Sequence, residues 1–164
     1  MTNPLIGHTD VQTSLFQLKE TGRFPHAILL HGSQGIGKRM LAETLRHFLL
    51  CGGTLENGAL RVDSTHKVFP QIKAGSCRDY HIIEVEEKAA TIKVEQIREL
   101  LTKLSLSSDG RRVIIVDAAD NMGVEASNAL LKTLEEPGKN IHFIVIAHNL
   151  FRTLPTILSR CRKI

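Results

Sequence analysis

Tryptophan is absent from the 164 residues, tyrosine occurs once and phenylalanine six times. The interleaved basic and aromatic residues on which single-stranded nucleic acid stacks are therefore missing. Cysteine is also scarce: Cys51, Cys77 and Cys161 are an odd number at irregular spacing, which argues against a disulfide framework and makes reduced thiols the default. No apolar run approaches the ~18 residues of a membrane span. The start, Met1-Thr2-Asn3-Pro4, has no basic segment with an apolar stretch behind it, so no secretion signal is read and a cytoplasmic location is expected. Neither sign of charge dominates: 21 Lys and Arg against 17 Asp and Glu leave +4. That balance is compatible with an anionic partner and too mild to demonstrate one.

What is present is the composition of an ordinary globular domain, 42% hydrophobic and 23% charged, in a chain long enough to bury roughly 70% of its unfolded surface. Four short apolar runs, residues 27–31, 81–85, 113–117 and 141–147, read as strands buried on both faces. Between them, residues 39–50, 94–104 and 121–134 carry apolar side chains at three- and four-residue spacing. The last of these is closed by Glu135-Glu136-Pro137-Gly138. Strand and helix in alternation predict an α/β domain with a largely parallel sheet and ligands at the carboxyl ends of its strands. Residues 52–75, rich in Gly, Asp, Ser and Thr, break the rhythm and are expected to form a long surface excursion.

The run 27–31 leads into Gly32-Ser33-Gln34-Gly35-Ile36-Gly37-Lys38-Arg39 and then directly into a helical pattern. This is G-x-x-x-x-G-K in its strand-loop-helix context. Gly32, Gly35 and Gly37 let successive N–H groups converge on a phosphate, and Lys38 adds a point charge for the β- and γ-phosphates. The following position should be Ser or Thr, whose hydroxyl ligates Mg²⁺, but it is Arg39, which has no lone pair to offer. The run Val113-Ile114-Ile115-Val116-Asp117 resembles a Walker B strand with Asp117 toward the metal shell. The acidic residue that should follow is replaced by Ala118. Asp120 is expected to cap the helix starting near Asn121. Two requirements for hydrolysis are thus missing at separate positions.

The run Asn128-Ala129-Leu130-Leu131-Lys132-Thr133-Leu134-Glu135-Glu136-Pro137, followed 22 residues later by Ser159-Arg160-Cys161, is similar to the bacterial clamp-loader family of AAA+ proteins. With the Walker-like strands, the resemblance covers nearly the whole chain from Gly7 onward. It implies a RecA-like AAA+ three-layer α/β domain over residues 1–164, with a mostly parallel five-stranded sheet of the P-loop NTPase fold. It places residues 162–164 in the fifth strand and implies a helical lid and a collar domain downstream. It also implies that Arg160 is an arginine finger acting in trans on ATP held by a neighbouring subunit, a role suited to the planar guanidinium fork. The departures at Arg39 and Ala118 resemble the family members that keep the fold and lose the ATPase residues. Gly32, Gly35, Gly37, Lys38 and Asp117 would then be a vestigial phosphate and magnesium site that binds ATP weakly or not at all. The partners implied are the gamma/tau and delta clamp-loader subunits, the sliding clamp and primed DNA in the assembled complex, within a DNA polymerase III holoenzyme.

Relatives of this family often carry a four-cysteine zinc module after the P-loop helix. Only Cys51 and Cys77 stand there, with His66 and His81 as further candidates, and Cys77-x-x-x-His81 is the one short pair, so no metal site is expected. Cys161 reads as a small buried side chain rather than a nucleophile. The sensor position at the end of the 141–147 strand falls on His148 or Asn149, and both remain open. Glu135 and Glu136 read equally as a solvated helix terminus or an interface. Two competing functions remain: an active motor ATPase of the same family, which must tolerate Arg39 and Ala118, and a nucleotide-regulated DNA-binding module, which would need a basic stripe where the charges are scattered.

Overall fold

The computed structural model describes residues 7–106 and 110–164. Residues 1–6, where the absence of a leader was read, lie outside them. Helix α1 (Thr9–Glu20) precedes β1 (Ala27–His31), and α2 (Lys38–Cys51) follows it. A hairpin β2 (Gly53–Glu56) and β3 (Ala59–Val62) and a short α3 (Phe69–Lys73) then intervene. The remainder is β4 (Tyr80–Glu84), α4 (Val94–Ser105), β5 (Arg112–Asp117), α5 (Val124–Glu135), β6 (Ile141–Ala147), α6 (Pro155–Leu158) and β7 (Arg162–Lys163). One five-stranded sheet runs β4-β5-β6-β1-β7, with every pair parallel. The fold class expected from the sequence is the one observed.

The central strands are apolar on both faces because alternate residues feed two different cores. Ala27, Leu29, Ile114, Val116, Phe143 and Val145 point to one side, where Ile97 and Leu100 of α4, Leu130 and Leu134 of α5 and Ile157 of α6 cover them. Ile28, Leu30, Val113, Ile115, Ile144 and Ile146 point to the other, against Leu15 of α1 and Leu41, Leu45 and Phe48 of α2. The result is helix, sheet and helix in three layers. Among the described residues no helix is long and apolar enough to cross a membrane.

Residues 52–75 depart from expectation. Instead of an irregular excursion they carry the β2–β3 hairpin, closed by Asn57-Gly58 with positive φ at both positions, 51° and 76°. That is the geometry for which a two-residue Asn-Gly loop is preferred. Gly53 is required at its place: a Cβ there would lie 1.9 Å from the Arg61 carbonyl oxygen. The hairpin is anchored to α1, because the fully buried Gln12 accepts the Leu60 N–H at 2.9 Å and donates to the Gly7 carbonyl at 2.8 Å.

Three histidines give this fold an acid limit. Burial holds His47, His81 and His142 below the ordinary imidazole value, and nearby cations push the same way: Arg46 for His47, Lys103 and Arg112 for His81, Arg111 for His142. The unfolded chain then binds more protons than the folded one as pH falls through about 6.5. Stability is expected to drop between pH 7.5 and 5.5, seen as a lower urea midpoint. A midpoint that rises on acidification would contradict these burials.

Candidate functional site

The loop after β1 wraps round the start of α2. Gly32, Gly35 and Gly37 take φ of 141°, 86° and 90°, values that side chains resist, and Gly37 is the residue immediately before α2. Lys38, only 5% exposed, donates from Nζ to the Gly32 and Ser33 carbonyls at 2.7 Å each. Burial lowers the Lys38 pKa, against the pull of Asp120 and Asp117. The lysine is therefore spent on its own loop.

Arg39 is held by carboxylates from three elements. Its Nε donates to Glu43 at 3.0 Å, and its Nη1 donates to Glu84 at 2.9 Å and Asp117 at 2.7 Å. Burial alone would lower its pKa, but the hydrogen bonds to Asp117, Glu84 and Glu43 outweigh it and the pKa is raised. Asp117 closes β5 beside Glu84, the end of β4, in register, which is why both reach the same guanidinium. The acceptors that a magnesium ion would use carry a fixed organic cation instead, and the next residue, Ala118, is buried and inert. The loop fits a phosphate; the metal side does not fit Mg²⁺.

A cleft of about 570 Å³ lies over this arrangement, lined by Gly35, Lys38, Arg39, Glu43, Asp117 and His148. Of the two sensor candidates His148 borders the cleft. Asn149 instead accepts the Phe151 N–H at 2.9 Å and caps the turn Leu150–Arg152. Asp120 is not the helix cap that the sequence suggested. Helix α5 starts at Val124, preceded by Gly123, so Asp120 is too early to reach its free N–H groups. It is buried in the turn Ala119–Asn121 and accepts the N–H groups of His148 and Asn149 at 3.0 and 3.2 Å. It thus fixes the end of β6 beside the loop, a tertiary role with no local signature.

Arg160 stands between α6 and β7, whose register sets Arg162 beside Ile28, near the start of β1. The phosphate loop leaves the opposite, carboxyl end of that strand, roughly 15–20 Å away at about 3.3 Å per residue. Glu135, the last residue of α5, binds Arg160 through Nε at 2.8 Å and through Nη2, so the two motifs that carried the resemblance meet in space. Glu135 is therefore neither simply solvated nor free. Cys161 is buried, and burial pushes its thiol up to about 11, so it stays protonated and unreactive near neutrality. Cys51 and Cys77 pack with Ile72 in a small apolar cluster, and burial raises both thiols. Among the described residues no group of three or more His, Cys, Asp or Glu side chains is arranged to hold a metal ion.

The parallel sheet order, with a phosphate loop after β1 and an acid at the end of β5, defines a P-loop protein of the AAA+ class. Solved structures agree on the fold. A DNA polymerase III gamma subunit-related protein from Thermotoga maritima superposes with TM-score 0.65 at 21% identity, covering 92% of this chain and 44% of that one. The RuvB Holliday junction branch migration motor of Thermotoga maritima gives 0.56 at 16% identity, covering 96% and 44%. The model of the family DNA polymerase III, delta subunit, matches residues 7–164, and the chain belongs to that family. It is 40% identical over 147 residues to DNA polymerase III subunit delta' of Pseudomonas aeruginosa, covering 88% of this chain and 44% of that protein. It is 34% identical to the delta' subunit of Bacillus subtilis, covering 94% and 46%, and 32% identical to the tau subunit of Escherichia coli, covering 96% and 24%. The chain spans less than half the length of these relatives.

Proposed function

We propose that the chain is the AAA+ part of a non-hydrolysing, delta'-type clamp-loader subunit, which supplies Arg160 in trans to ATP on a gamma/tau neighbour while the sliding clamp is loaded onto primed DNA. The observation that carries this reading is Arg39 seated on Asp117, Glu84 and Glu43. A guanidinium cannot be exchanged as a metal ion can, and without an acidic residue at Ala118 nothing polarises an attacking water. Gly32, Gly35, Gly37, Lys38 and Asp117 then serve as framework, with ATP bound weakly if at all and no zinc. Arg160 lies at the other end of β1 from the phosphate loop, which supports a role toward another chain's nucleotide rather than its own. There a planar cation would stabilise charge developing on the transferred phosphoryl oxygens. The delta' relatives support the subunit type, and the location that follows is the cytoplasm.

The similarity to gamma and tau relatives favours a second reading, a motor ATPase. ATP turnover by the full-length protein alone, with Mg²⁺ and primed DNA, separates the two. No turnover is expected; a rate matching that of a gamma subunit would overturn the proposal.

A further inference from the structure

We propose that Glu135 is the positioning residue of the Arg160 finger, holding the guanidinium by the same edge that it would present to a neighbour's phosphate. The inference rests on the proposed role of Arg160 and adds how that role is gated. Nε and Nη2 both donate to Glu135 Oε1, while Nη1 donates to the Thr156 carbonyl at 2.9 Å and to Ser159 Oγ at 3.1 Å. Four hydrogen bonds on a group with five N–H donors leave no free parallel pair for a second anion. A phosphate that binds the Nε and Nη2 edge must displace the carboxylate.

The exchange is inexpensive. The two side chains are 30% and 47% exposed, so a partner can reach them, and ion pairs at that exposure are individually weak. Glu135 also ends α5, where the helix dipole disfavours negative charge, so its carboxylate depends on the guanidinium for compensation. The helix end itself is fixed, because His26 Nε2 donates to the Leu134 carbonyl at 2.9 Å. Glu135 therefore aims Arg160 from a rigid support and competes with phosphate for it. Its charge acts on the ATP concentration needed to engage the finger, not on the rate once the finger is engaged.

The test compares full-length wild-type protein, Glu135→Gln and Arg160→Ala, each reconstituted with its partner subunits, clamp and primed DNA, with assembly and melting checked for each. Glutamine keeps an oxygen for Nε and removes the competing charge. Its apparent KM for ATP should fall roughly two- to fivefold, the scale of a half-exposed ion pair, with kcat within about twofold of wild type. An unchanged KM, or a kcat that falls as in Arg160→Ala, would overturn the assignment of Glu135. Full turnover in Arg160→Ala would instead overturn the finger itself.

Discussion

Replacing Arg160 by alanine in the full-length protein is expected to cut the ATP turnover of the reconstituted complex by about tenfold or more at the site it serves, with assembly intact. The size is a conservative lower bound on what arginine fingers contribute elsewhere, roughly 10³-fold or more in kcat. Arg160→Lys should recover little of the loss, because an ammonium lacks the fork that meets two phosphate oxygens at once. Losing the pair with Glu135 should cost under about 1 kcal/mol of stability, since both side chains face solvent. A large change in turnover with little change in melting therefore distinguishes a finger from a structural arginine. Wild-type turnover in Arg160→Ala would reduce the residue to a surface ion pair.

Arg39→Thr combined with Ala118→Glu is expected to create magnesium-dependent nucleotide binding. Threonine restores the hydroxyl ligand and releases Asp117, Glu84 and Glu43 from the guanidinium, and the added carboxylate completes the acidic pair. Lys38 must still exchange the Gly32 and Ser33 carbonyls for phosphate, so the gain comes from the metal side. A tightening of about tenfold, or 1.4 kcal/mol, in ATP affinity with Mg²⁺ over EDTA is expected by titration calorimetry. Without metal the variant should melt lower than wild type, because three converging carboxylates lose their counter-charge. A sub-micromolar ATP affinity in the unaltered protein would contradict the picture of a closed site.

The strands at β1 and β6 were legible to the residue, because runs such as Ile141–Ala147 have no other use than burial on both faces. The glycine loop between β1 and α2 was legible because Gly32, Gly35, Gly37 and Lys38 fall within seven residues. The β2–β3 hairpin carried a readable signal in Asn57-Gly58, but its strands are only four residues each and half exposed, so the alternating pattern is too short to stand out. Helix α1 was missed for a related reason: just Gln12 and Leu15 of its twelve residues are buried, and no side chain caps its start. Asp120 misled because its capping propensity is local while its partners, His148 and Asn149, lie a strand away. The absence of a hydroxyl at Arg39 was plain in the sequence. Its three carboxylate partners were not, since Glu43, Glu84 and Asp117 belong to α2, β4 and β5 and meet only through the sheet register. The Glu135–Arg160 pair is equally a product of packing, joining two recognisable motifs that nothing along the chain connects.

The most direct measurement of the central claim uses a gamma/tau motor partner whose own finger arginine has been removed, so that its ATP is bound and not turned over. Adding the full-length protein should restore hydrolysis at the one site it adjoins, saturating at one copy per complex, and adding the Arg160→Ala form should not. Restoration by both forms, or by neither, would contradict a finger supplied in trans by Arg160.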